Sequence, residues 1–82
     1  MPENRKASWE IRCRLATNLK RLRAARAYTQ EYLAGLCGLT KSYVSNVEQA
    51  TVNITLANLE ALARGLECSE EDLLSRLRWR GQ

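Results

Sequence analysis

A chain of 82 residues with 13 Lys and Arg against 9 Asp and Glu, and no histidine, has room for one domain. It cannot hold a His-based catalytic triad, a HExxH metal helix or a His-containing zinc site. Its three cysteines, Cys13, Cys37 and Cys68, are odd in number, far apart and form no CxxC pair, which fits neither a disulfide framework nor a thiolate metal site and suggests small core residues in a reducing, cytoplasmic setting.

The chain reads as all-α, with Pro2 the single proline and no internal repeat. Residues 1–8 form a polar N-terminal arm without the apolar stretch of a signal peptide; within it Arg5 and Lys6 are open to groove tracking or to disorder. A first helix is predicted from about Trp9 to Arg26. Its Ile11, Leu15, Leu19 and Leu22 fall within an arc of about 80° at 100° per residue, while Arg12, Arg14, Lys20, Arg21, Arg23 and Arg26 occupy much of the rest. Thr29 is an N-cap for a short second helix, Gln30 to Leu36 or Cys37, and Gly38 is placed to end it in the left-handed conformation. Thr40 caps a third helix after a turn of about three residues, the connection of a helix-turn-helix. Loop chemistry spans Ala50 to Ile54. Thr55 then caps a fourth helix carrying Leu56, Leu59, Leu62, Ala63 and Leu66 on one face, with Gly65 near its end. Ser69 with Asp72 resembles a capping box opening a fifth helix that contains Leu73, Leu74 and Leu77. The domain is expected over 9–78, with 79–82 as a tail. No apolar run approaches the roughly 18 residues of a membrane span.

The charge is unevenly placed. Up to Lys41 there are nine basic and three acidic residues, +6, and beyond it four basic and six acidic, −2, which together give the net +4. A basic half suits an anionic partner, although a solvated basic helix fits this observation equally.

The informative segment is TQEYLAGLCGLTKSYVSNVEQ, Thr29 to Gln49. Ala34 is small where two helices must cross, Gly38 supplies the turn, and Val44 and Val47 point inward. On a wheel from Lys41, the residues Lys41, Ser42, Ser45, Asn46 and Gln49 span about 0° to 140°, whereas Tyr43, Val47 and Val44 span about 200° to 300°. Ser, Ser, Asn and Gln are neutral donors and acceptors suited to base edges: Asn or Gln can pair with adenine in bidentate fashion, Lys can reach guanine, and Ser can serve either way. The alternative is a helix that is merely solvated.

With NLKRLRAARAYTQ before it and NITLANLEALARGL after it, this segment resembles the Xre/Cro family of lambda-repressor-like regulators over about residues 15 to 75. The combination SYVSNVEQ and NITLANLEALARGL is particularly similar to controller proteins of restriction-modification systems. The resemblance implies a five-helix domain, dimeric, that places its third helix in the major groove of a pseudo-palindromic operator. Double-stranded DNA and a second copy of the chain are then the partners, RNA polymerase is a further candidate, and no cofactor or metal is expected. It also implies base contacts from Lys41, Ser42, Ser45 and Asn46, and from Tyr43 unless that side chain packs at the core edge. Gln30, Gln49, Thr51 and Asn53 are implied as phosphate contacts, with a turn or capping role open to Asn53. Arg23 and Glu48 match a family ion pair that orients the third helix, leaving Arg23 partly facing the DNA backbone; otherwise Glu48 is a solvated carboxylate. The loop Gln49-Ala50-Thr51-Val52 departs from the more basic, glycine-containing loop of relatives, so first-helix bases should carry more of the phosphate attraction.

A core this small supplies only about 3 to 5 kcal/mol, so oligomerisation is expected. Leu73, Leu74, Leu77 and Trp79 offer apolar surface for a symmetric dimer interface, or else pack on the first helix near Trp9. Among other classes, an antitoxin or similar protein-interaction module would use the same apolar faces but has little chain left for a neutralising segment. An enzyme is disfavoured, since no metal cluster, phosphate-binding glycine loop or His-paired nucleophile appears.

Overall fold

The structure, a computed structural model, describes residues 3–76. It contains α1 (Glu3–Ala25), α2 (Gln30–Cys37), α3 (Lys41–Glu48), α4 (Leu56–Leu66) and α5 (Glu70–Leu74), and no strand among the described residues. Each predicted cap forms. Thr29 Oγ1 accepts from the Tyr32 amide at 2.9 Å, Thr40 Oγ1 from Tyr43 at 3.0 Å and Thr55 Oγ1 from Asn58 at 3.1 Å. Ser69 and Asp72 exchange side-chain-to-amide bonds at 3.1 and 3.0 Å, a complete capping box. The backbone of residues 3–8, expected as a separate arm, instead continues α1.

The first four helices stop in the same way. A residue in the left-handed region, Ala27 (φ 57°), Gly38 (φ 71°), Ala50 (φ 62°) or Glu67 (φ 55°), follows each helix. The next amide then reaches back five residues: Tyr28 to the Arg23 carbonyl at 3.1 Å, Leu39 to Ala34 at 2.9 Å, Thr51 to Asn46 at 3.0 Å and Cys68 to Ala63 at 2.9 Å. These are Schellman stops, which satisfy carbonyls that a helix end would otherwise orphan.

α5 ends differently and sooner than expected. Asn18 Nδ2 of α1 donates to the Leu73 carbonyl at 2.9 Å and to the Ser75 carbonyl at 2.8 Å, while Arg14 Nε donates to the Leu74 carbonyl at 2.9 Å. Side chains of α1 thus take the place of the backbone donors that would have prolonged the helix. Ser75 is extended (φ −71°, ψ 153°), and Leu77, predicted inside this helix, lies outside the described residues.

The core lies where α1 packs on α3 and α5, α2 packs on α3 and α4, and α4 closes on α5. Leu15 and Leu19 of α1, Leu33 and Ala34 of α2, Val44 and Val47 of α3, Leu59, Leu62, Ala63 and Leu66 of α4, and Leu73 of α5 are buried together. Leu73 therefore cannot form a dimer surface as expected: it is completely enclosed within the protomer. Trp79, assigned to the same interface, lies outside the described residues. Gly65 lies near the end of α4, as expected, and has a packing role as well. It sits inside α4 where α2 crosses, and a Cβ there would stand 2.6 Å from Cys37 Sγ. All three cysteines are half-buried and free.

Candidate nucleic-acid interface

α3 is held with one face in the core and the other in the open. Val44 and Val47 are buried, Lys41, Ser42 and Asn46 are exposed, and Ser45 is half-buried. Lys41, Ser42, Ser45 and Asn46 together line a shallow concavity of about 270 Å³. Lys41 opens the helix, where a cation opposes the helix dipole by about 0.3–1 kcal/mol. Its position is unfavourable for the isolated domain and suited to an anionic partner.

The orientation of α3 is fixed at its other end. Glu48 is 6% exposed, yet both of its carboxylate oxygens accept hydrogen bonds. Arg23 Nε lies 2.6 Å from Oε2 and Arg23 Nη2 lies 3.0 Å from Oε1, a bidentate pair joining α1 to α3. Gln30 Nε2, at the start of α2, donates to Oε1 at 2.9 Å, and Arg23 Nη1 donates to the Tyr28 carbonyl at 2.7 Å. The hydrogen bond to Glu48 raises the Arg23 pKa against the opposing effect of burial, so the guanidinium stays charged. One carboxylate therefore ties three helices together and is itself neutralised, so the helix that faces outward carries no net repulsion toward a polyanion from this residue.

The other expected contact residues fall as follows. Gln49 is exposed after α3, with Nε2 donating to Ser45 Oγ at 3.3 Å. Thr51 is exposed, and its hydroxyl donates to the Asn46 carbonyl at 3.1 Å, reinforcing the stop of α3. Asn53 is exposed in the same loop. Gln30 is half-buried and engaged with Glu48, so its first role is internal. Tyr43, for which a base contact and packing at the core edge were both open, takes the second. It packs against the core, and among the described residues its hydroxyl is buried without a hydrogen-bond partner. In this rotamer the hydroxyl does not face the groove-reading surface. On α1, Lys20 and Arg21 are exposed and Arg26 is half-buried; Arg21 Nη2 lies 3.4 Å from Asn18 Oδ1.

One buried residue and one hydrogen bond were not foreseen from the sequence. Asn18 is completely buried, yet on the sequence it is a polar residue of a basic helix with nothing to mark its partners 55 and 57 residues away. The Gln30–Glu48 bond had a fainter signal, since the wheel angle of Glu48, about 340°, places it beside the buried arc.

Among the described residues no helix is long and apolar enough to cross a membrane, and no group of three His, Cys, Asp or Glu side chains could hold a metal ion.

Comparison with known proteins agrees with this geometry. The helix-turn-helix family HTH_3 matches residues 19–73. A Neisseria hypothetical transcription factor from Neisseria meningitidis is 40% identical over 65 residues, covering 79% of this chain and 61% of that protein, so the chain spans less than two thirds of that relative. The control protein C.SmaI of Serratia marcescens is 36% identical over 76 residues, 93% of this chain and 90% of its own length. The crystal structure of the hypothetical transcription factor NHTF from Neisseria superposes with a TM-score of 0.76 at 41% identity, over 78% of this chain and 74% of that one. The restriction-modification controller protein C.AhdI from Aeromonas hydrophila gives 0.74 at 37% identity, over 76% and 94%. A lambda-repressor-like arrangement of five helices, an α2–α3 pair joined by a tight turn, an outward polar face on α3 and relatives of this kind lead to one assignment: the chain belongs to the HTH_3 (Xre-like) helix-turn-helix family of DNA-binding transcription regulators.

Proposed function

We propose that the protein is a sequence-specific transcriptional regulator, controller-protein-like, that binds a pseudo-palindromic operator as a homodimer with α3 in the major groove. The observation that carries this reading is the face of Lys41, Ser42, Ser45 and Asn46, neutral donors and acceptors with one cation, on a helix locked in place by the Arg23–Glu48 pair. Asn46 suits adenine, Lys41 suits guanine, and the serines adapt to either neighbour. Gln49 and Thr51, bonded to Ser45 and Asn46 of this helix, serve the phosphates, as do the hydrogen-bond donors that Arg23 and Gln30 retain beyond Glu48; Asn53 lies instead in a groove with Ile11 and Leu74. Exposed Lys20 and Arg21 add sequence-independent attraction.

The second protomer is seated on a largely apolar groove of about 190 Å³ lined by Ile11, Leu15, Ile54, Leu56, Leu59 and Leu74, with Arg12 and Asn53 as its polar members. Leu56 is 84% exposed and Ile11 39%, which is unusual for aliphatic side chains this close together. In this reading Leu74 serves the interface with residues of α1 and α4, in place of the buried Leu73.

A gel-shift series with purified protein tests the reading. With ~8 phosphates neutralised by a dimer, log K should fall with log salt at a slope near −7, and a selected palindrome should be preferred over random DNA. Affinity independent of salt, or no preference for the palindrome, removes the proposal.

A further inference from the structure

The end of α5 is gripped more completely than the packing of a five-residue helix requires. Its last carbonyls have side-chain donors throughout: Ser75 Oγ lies 3.4 Å from the Asp72 carbonyl, Asn18 serves those of Leu73 and Ser75, and Arg14 serves that of Leu74. Asn18 is completely buried, and its two amide hydrogens are matched to carbonyls two residues apart, a spacing that defines the direction of the chain as well as its position. Ile11, Arg14 and Leu15, and Asn18 follow at helical intervals on one face of α1. The first and third of these line the apolar groove, where Leu74, whose carbonyl Arg14 holds, forms part of the wall.

We propose that Asn18 and Arg14 are positioning residues for operator reading: by holding the end of α5 they set Leu74 within the surface that seats the second protomer, and so set the separation of the two recognition helices. This rests on the homodimer reading above. α1 is the ruler between the two functions, because about 14 Å of rigid helix separates Arg14, which fixes the interface wall, from Arg23, which fixes α3. Small errors at the interface are magnified. Recognition helices about 34 Å apart lie about 17 Å from the two-fold axis, so a tilt of about 10° moves each by about 3 Å, close to one base-pair step.

The experiment measures competition among duplexes that carry the same two selected half-sites, with their centre-to-centre separation changed one base pair at a time. The full chain is compared with Arg14→Ala, Asn18→Ala and, as a destabilised control away from the latch, Leu62→Ala. Circular dichroism melts and sedimentation equilibrium establish that each variant used is folded and dimeric. Wild type should prefer one separation by about tenfold or more, and the latch variants by about threefold or less, with Leu62→Ala keeping the wild-type profile. Arg14→Ala loses a single part-buried bond, so it remains informative where Asn18→Ala fails to fold. Folded, dimeric latch variants with the wild-type spacing profile overturn the proposal, as does an equal flattening in Leu62→Ala, which would make it a matter of general loosening. A wild-type chain that is monomeric both free and on DNA overturns the dimer reading itself, and is recognised before any variant is compared.

Discussion

Replacing Arg23 by methionine isolates the carboxylate that orders the outward face of α3. The Glu48 side chain is 4% exposed and that of Arg23 20%. Of the three donors that reach Glu48, two belong to Arg23, and only Gln30 Nε2 remains after the substitution. Stranding a buried charge costs about 3–5 kcal/mol; the surviving bond from Gln30 and the partial access of water to the vacated side place the expected loss at the lower end, about 3 kcal/mol. A domain of this length is stable by only about 4–12 kcal/mol, so the melting temperature should drop by roughly 12–24 °C. Glu48→Leu should cost less, about 1–2 kcal/mol, because Arg23 keeps the Tyr28 carbonyl and a path to solvent. The double variant Arg23→Met with Glu48→Leu should recover to within about 1 kcal/mol of wild type, since no charge is then stranded. Urea unfolding followed at 222 nm gives all four corners of the cycle. A loss below about 1 kcal/mol for Arg23→Met, or single-variant costs that simply add in the double variant, would refute the reasoning.

Three further outcomes follow from the packing. Gly65→Ala should destabilise by about 1–3 kcal/mol, because its Cβ would meet Cys37 Sγ at 2.6 Å and Leu33 Cδ1 at 3.3 Å; in a Cys37→Ala background the cost should shrink, since only the Leu33 contact stays tight, and thermal melts showing the same cost in both backgrounds would contradict the clash. Tyr43→Phe removes a buried hydroxyl without a partner and should stabilise by about 1 kcal/mol in chemical denaturation, whereas a loss would show that the hydroxyl is satisfied. Burial pushes the Cys37 and Cys68 thiols up, aided at Cys68 by Asp72 and opposed by Arg26. Unfolded thiols ionise near pH 8.5, so above that pH the unfolded chain releases protons that the native chain retains. The stability contribution is complete below about pH 8.5 and is lost as pH rises through the native values. The urea midpoint should therefore fall more steeply above that pH in wild type than in Cys37→Ala/Cys68→Ala, and equal pH dependence in the two would exclude the thiols as the cause.

Local chemistry made most of the helices legible in advance. Thr29, Thr40, Thr55 and Ser69 are strong caps whose partners lie three residues away, so sequence proximity alone locates them. The two faces of α3 were readable because Val44 and Val47 repeat at helical spacing beneath Lys41, Ser42 and Asn46. The Arg23–Glu48 pair, 25 residues apart, came from resemblance and was then seen in the geometry. What the sequence concealed was long-range or conformational. The wheel angle of Tyr43 lies on a boundary, and only packing decides which way its ring turns. Leu73 and Leu74 are adjacent and alike in sequence, yet the first is enclosed and the second lines a groove, because consecutive residues of α5 point about 100° apart and the packing of so short a helix decides which of them turns inward. Asn18 gives no local hint that its amide will find carbonyls more than fifty residues on.

The stops after α1, α3 and α4 have a consequence for chain entropy. Ala27, Ala50 and Glu67 occupy the left-handed region without being glycine, at a native strain of about 1–2 kcal/mol each. A non-glycine residue also denies the unfolded chain many conformations, which returns about 0.4–1 kcal/mol to the folded state. The strain is the larger of the two effects, so each of these stops is held by the packing around it. Three joints of the domain are thus made from residues that do not wander when the chain is open and do not rest easily when it is closed. Only the turn between α2 and α3, at Gly38, is built from a residue at ease in both, so the link that joins the helix-turn-helix is also the one where backbone adjustment meets the least resistance.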